Sequence, residues 1–181
     1  SKAGQQAGLG KGTRSGLVYE VLRILQELKE INNLPKMTIM ENVVDLVQAK
    51  FVKQWQGIQQ EIEKIGYVNY QQTLNAKEYG IAQNRDRVFM VSILGEYNYN
   101  FPKGFELEYR LKNYLEDEVD DKYYLSDAMY GYLTSEHEKF SRKEVFERNL
   151  KGKEDDIAAT ITTRETNVPT STFIDMDLVE K

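Results

Sequence analysis

The 181-residue sequence has no cysteine, one histidine and three prolines. Without cysteine the chain has no disulfide, no thiolate metal ligand and no cysteine nucleophile of its own. A single His137 leaves too few ligands for a zinc site, so no metal is expected. Basic charge is also in short supply, with 24 Lys and Arg against 29 Asp and Glu for a net charge of -5. Proteins that hold nucleic acid by bulk charge usually show a basic surplus, so any such contact here must be local. No apolar run reaches bilayer length, and the N-terminus lacks the apolar core of a secretory signal. These absences predict a protein with no membrane association and a cytoplasmic location.

What remains is an ordinary globular composition, 40% hydrophobic and 29% charged, long enough for one domain and part of another. The stretch YGIAQNRDRVFMVSIL, Tyr79 to Leu94, carries the strongest pattern. From Val88 to Leu94 it is apolar except for Ser92 and rich in β-branched residues, which predicts a strand buried on both faces. If the preceding residues are also extended, Gln83, Arg85 and Arg87 fall at i, i+2 and i+4 and project from one face.

Ser1 to Gly12 is a glycine-rich loop that imitates a phosphate cradle without meeting its requirements. Lys11 is followed by Gly12 where Ser or Thr is needed, and no strand precedes the glycines. From Thr13 to Ile31, Leu17, Val21, Leu25 and Leu28 recur at helical spacing, widened by Val18, Leu22 and Ile24. Asn32, Asn33 and Pro35 should stop that helix. Met37 to Val43 reads as a short buried strand with Glu41 and Asn42 at its carboxyl end, where open α/β sheets bind ligands. Phe51, Trp55, Ile58, Ile62 and Ile65 mark a second helix closed by Gly66, and Tyr67 to Leu74 a further strand. The order predicts an α/β fold with about three strands and flanking helices, a half sheet whose edge needs covering.

Beyond Gly95 the pattern changes. Eight acids between Glu106 and Asp127 outnumber three bases, which predicts a solvated connection, with a short helix over Leu111 to Glu116. Short helices are expected between Ser126 and Leu150, and the Thr-rich stretch from Ile157 to Ile174 reads as the beginning of a small β-rich region.

Three blocks, GTRSGLVYEVLRIL, Glu41-Asn42-Val43 and Gln83-Asn84-Arg85-Asp86-Arg87, closely resemble in type and order those of bacterial and phage DNA cytosine-5 methyltransferases. The family's E-N-V and Q-x-R-x-R signatures fall on the last two. The resemblance implies a partial Rossmann-like methyltransferase sheet, with residues 1–125 as the second half of the catalytic domain. Residues 126–181 would begin the target-recognition domain. It implies transfer of methyl from S-adenosylmethionine to C5 of a cytosine flipped out of double-stranded DNA, after a cysteine thiolate adds to C6. It is the chemistry of DNA methylation in restriction-modification.

By the same resemblance Glu41 engages N3 and the exocyclic amine of the base, Arg87 reaches O2, and Arg85 orients the glutamate. Gln83 would be a positioning residue on the DNA side. Ser1, Lys2, Ala3, Gln5 and Gln6 match the mobile loop that closes over DNA, with Arg14 at its hinge or on a phosphate. Leu17 and Asn42 match positions near the methyl donor.

The resemblance also implies what is missing. The family's Pro-Cys nucleophile lies before the position matched by Ser1. The glycine-containing loop and acidic residue that hold S-adenosylmethionine, and the closing blocks, have no counterpart here. The expectation is a fragment or split subunit, inactive alone, that pairs with the missing half or with a second copy. The alternative is a non-catalytic DNA-binding or assembly module derived from the same fold.

Overall fold

A computed structural model describes residues 16–137, 140–152, 157–160 and 172–175. The chain divides into two compact units. The first runs to Leu74 and includes Asp86–Lys103; the second comprises Asn75–Arg85 and the chain from Gly104 onward.

In the first unit α1 spans Leu17–Glu30, β1 Met37–Val43, α2 Val52–Ile65, β2 Tyr67–Asn75 and β3 Asp86–Leu94. The three strands form one sheet in the order β1-β3-β2. β1 and β3 are antiparallel, with Met37 opposite Ile93 and Val43 opposite Arg87. Side chains alternate across a strand, so Thr38, Met40 and Asn42 share a face with Ser92, Met90 and Val88. That face meets the helices: Leu22, Leu25, Leu46, Trp55, Ile58, Ile62, Ile65, Tyr67 and Met90 form one buried cluster, with Met40 and Leu94 packed against it.

The α2 stripe falls where its periodicity predicts, with Trp55, Ile58, Ile62 and Ile65 buried. Gly66 ends the helix at φ +123, a conformation that side chains rarely adopt. Tyr67 begins the next strand at once; its hydroxyl donates to Pro35 O at 2.7 Å, and burial holds the phenol above its ordinary pKa. Ser92, the polar exception in β3, is fully buried and donates to Asn69 Oδ1 at 2.6 Å. Asn69 Nδ2 in turn donates to Gln59 O of α2 at 2.9 Å, so the one polar group inside this strand also ties sheet to helix.

Two expectations fail in this unit. β1 is not a buried strand: it is the sheet's edge, and its exposure alternates, leaving Met37 and Ile39 at 49% and 62%. Its apolar composition exceeds what one covered face can bury. The α1 stripe is likewise too wide for its seat, because Leu22 and Leu25 take the core while Leu17, Val21 and Ile24 stay exposed.

The second unit contains α3, Asp127–Leu133, and α4, Arg142–Asn149. Two strand pairs accompany them: β4, Glu136–His137, with β5, Phe140–Ser141, and the parallel pair β6, Leu150–Lys151, with β7, Phe173–Ile174. Ser126 and Ser141 cap α3 and α4 by accepting from Met129 N and Glu144 N. Leu111–Tyr114 is a single 3-10 turn, shorter than the helix expected there, because it stops after four residues. No described helix is long and apolar enough to cross a membrane.

Candidate active site

Glu41 lies near the carboxyl end of β1, and Arg87 is the second residue of β3. Glu41 is opposite Phe89 and Arg87 opposite Val43, so the two are diagonal neighbours on the sheet face turned away from the helices. Arg87 Nε donates to Glu41 Oε1 at 2.8 Å. Arg87 Nη1 also donates to Asp86 O at 2.7 Å, which fixes the plane of the guanidinium. The arginine side chain is 18% exposed and the glutamate 46%, so the pair presents its carboxylate end outward. Geometrically this is a planar cation and an acceptor held edge to edge, able to bind a flat polar heterocycle.

Asn42, next in the strand, faces the opposite side of the sheet. Its Oδ1 accepts from Val43 N at 2.8 Å, where β1 gives way to the 3-10 turn Val44–Val47. Leu17 is the first residue of α1 and is exposed. An exposed leucine and a half-buried amide are too few to hold S-adenosylmethionine, so these residues alone do not fit that group.

Gln83 and Arg85 belong to the second unit. β3 begins only at Asp86. Before it, Gln83 N donates to Ile81 O at 2.7 Å, which folds the chain into a tight turn. Asn84 N donates to Ala158 O at 2.8 Å and Ala158 N to Ala82 O at 2.9 Å, so Gln83 forms a parallel bridge with Ala158.

Ser1, Lys2, Ala3, Gln5, Gln6 and Arg14 lie outside the described residues. Most of the Thr-rich stretch expected to begin a β-rich region does too. The second unit also has a cavity of about 760 Å³ lined by Tyr123, Tyr124, Tyr130, Phe146 and Phe173. Among the described residues its lining contains Glu116 and Asp175 and no basic side chain.

A model of the C-5 cytosine-specific DNA methylase family matches residues 1–175. The chain belongs to that family. Among its relatives, the type II methyltransferase M2.ScrFI of Lactococcus lactis subsp. cremoris is 38% identical over 130 residues, covering 70% of this chain and 35% of the relative. The orphan methyltransferase M.SssI of Spiroplasma monobiae is 38% identical over 136 residues, 74% of this chain and 35% of its own. The chain thus spans about a third of the length of these curated relatives.

Likeness to solved structures concerns the fold alone. The Entamoeba histolytica methyltransferase EhMeth aligns with a TM-score of 0.64 at 21% identity, over 86% of this chain and 44% of that one. The Dnmt2 methyltransferase of S. pombe gives 0.63 at 17%, over 90% and 50%. The sheet described above is therefore part of the Rossmann-like fold of these methyltransferases.

One buried polar residue escaped sequence reasoning. Asn75, at the end of β2, is 7% exposed and hydrogen-bonded through both ends of its amide. Its only sequence signal is that asparagine after a strand commonly opens a turn.

Proposed function

We propose that this chain is a fragment or split subunit that supplies the base-binding wall of a DNA cytosine-5 methyltransferase and works only when complemented by the half that brings the Pro-Cys nucleophile. The observation that supports this most is the Glu41–Arg87 pair at 2.8 Å, formed by the two residues that the family signatures assign to the target base. In this reading residues 1–125 are catalytic and residues 126–181 begin target recognition.

The base would be a cytosine flipped from double-stranded DNA. Glu41 accepts from its exocyclic amine and engages N3, while Arg87 donates to O2. As a thiolate from the partner adds to C6, electron density moves toward N3 and O2. A carboxyl group and a guanidinium already locked together hold that density without reorganising. Arg85 orients the carboxylate, and Gln83, Arg14 and the Ser1–Gln6 loop contact DNA. S-adenosylmethionine would supply the methyl group for C5, and loss of the C5 proton and of the thiolate would restore the base. Most of its site belongs to the partner, with Leu17 and Asn42 as one edge.

With no cysteine among these 181 residues, the thiolate must come from the complementing half. Exposed Leu17, Val21 and Ile24 on α1, with Met37 and Ile39 on β1, supply apolar surface for it. The test is methyl transfer to duplex DNA by this chain alone, by a polypeptide bearing the Pro-Cys block alone, and by the two together. Turnover is expected only from the mixture, and turnover by this chain alone would overturn the reading. A second reading draws on the same cysteine count: a DNA-binding or assembly module that keeps the base pocket without chemistry. A reading frame just upstream ending in a Pro-Cys block favours the split enzyme, and its absence favours the module.

A further inference from the structure

The loop from Ala76 to Arg85 leaves β2 and returns to β3, and a single side chain closes its neck. Asn75 Oδ1 accepts from Lys77 N at 3.1 Å and from Arg85 N at 3.2 Å. Asn75 Nδ2 donates to Asn84 Oδ1 at 2.7 Å. Beside it, Ala76 N donates to Arg85 O at 3.0 Å. Both sides of the Arg85 peptide are therefore fixed within two residues of Asn75, and the Asn84 side chain is fixed with them. A buried amide bonded at both ends has little freedom to shift.

The rest of the loop is tied down independently. Ala158 brackets Gln83 through its backbone, Thr160 Oγ1 donates to Asn84 O at 2.7 Å, and Gly80 takes φ +85 against the Phe105 ring. These contacts hold the loop's body. Asn75 and Ala76 hold the N–H and the C=O of Arg85, and Thr160 adds a bond to the carbonyl side of the Asn84–Arg85 peptide.

We propose that Asn75 is the positioning residue for Arg85, setting the backbone that carries its guanidinium. The proposal rests on the role of Arg85 argued above. Asn75 touches no substrate in this scheme. It acts through the arginine, so its loss should lower turnover more than substrate binding.

Two variants separate this from a merely structural role. Asn75→Ala removes both acceptor contacts and the donor. Asn75→Asp keeps an acceptor for Lys77 N and Arg85 N, and Asn84 can turn its amide to donate toward it. In the chain alone, amide hydrogen exchange at Arg85 and Lys77 is expected to accelerate about tenfold or more in Asn75→Ala and stay slow in Asn75→Asp, with the α2 core unchanged. In the reconstituted pair, Asn75→Ala should lower kcat about tenfold or more with KM for duplex DNA within about threefold, and Asn75→Asp should recover most of it.

Slow exchange at Arg85 in Asn75→Ala overturns the proposal whether or not turnover can be reconstituted. Fast exchange with unchanged kcat overturns the catalytic half and leaves the split enzyme standing. Failure of the unsubstituted pair to turn over overturns the split-enzyme reading itself.

Discussion

At Glu41 and Arg87 one ion pair has two separable consequences, for folding and for chemistry. Its side chains are 46% and 18% exposed, and pairs that wet contribute about 0–1 kcal/mol to stability. Glu41→Gln in the chain alone should therefore shift the unfolding midpoint by less than about 1 kcal/mol in denaturant titration. In the reconstituted enzyme the same substitution should lower kcat about a hundredfold or more, since a carboxyl group in contact with the reacting base contributes through the transition state. A large loss of stability with a small loss of rate would make the pair structural. The family blocks single out both residues in the sequence. That they meet was not legible there, because their contact depends on the antiparallel register of β1 on β3. Asn75 was less legible still: its importance lies in burial and in partners ten residues away, neither of which an isolated asparagine advertises.

At the scale of elements, α2 gives a clean pair of opposite predictions from two glycines. Gly57 lies within the helix with nothing inside 4 Å of where a Cβ would stand, so Gly57→Ala should stabilise by about 0.5–1 kcal/mol through lower unfolded-state entropy. Gly66 at the helix end has φ +123, and a Cβ there would meet Leu94 Cδ1 at an ordinary 3.5 Å. The cost of Gly66→Ala is then backbone strain alone, about 1–3 kcal/mol. Thermal unfolding of the two variants beside the parent chain reads both signs, and a stabilising Gly66→Ala would refute the strain argument. The helices and three strands were legible because periodicity is local: Trp55, Ile58, Ile62 and Ile65 announce one face without reference to the rest of the chain. Strand order was not legible, since placing β3 between β1 and β2 is decided by pairing across distant sequence. The same non-locality hid the edge position of β1 behind a run that reads as buried.

For the molecule as a whole, the informative quantity is apolar surface that finds no cover. Leu17, Val21 and Ile24 lie at helical spacing on α1, exposed at 68%, 42% and 45%, while Leu22 and Leu25 of the same helix are buried. β1 adds Met37 and Ile39 and, as an end strand of the sheet, an edge open to pairing. Scattered exposed leucines are ordinary, but a periodic stripe and an apolar edge strand within one unit make a candidate interface. A net charge of -5 on 181 residues gives only modest repulsion against association. Without the nucleophile-bearing polypeptide, the chain is therefore expected to associate with itself. Sedimentation equilibrium should give an average mass above 21.1 kDa that rises with concentration. The double variant Val21→Lys, Ile24→Glu should return it to a monomer with its helical circular dichroism intact, because neither side chain reaches the core cluster. The same variant should fail to reconstitute turnover if the stripe is where the second polypeptide docks. A parent chain that remains monomeric at high concentration would show that the stripe does not drive association.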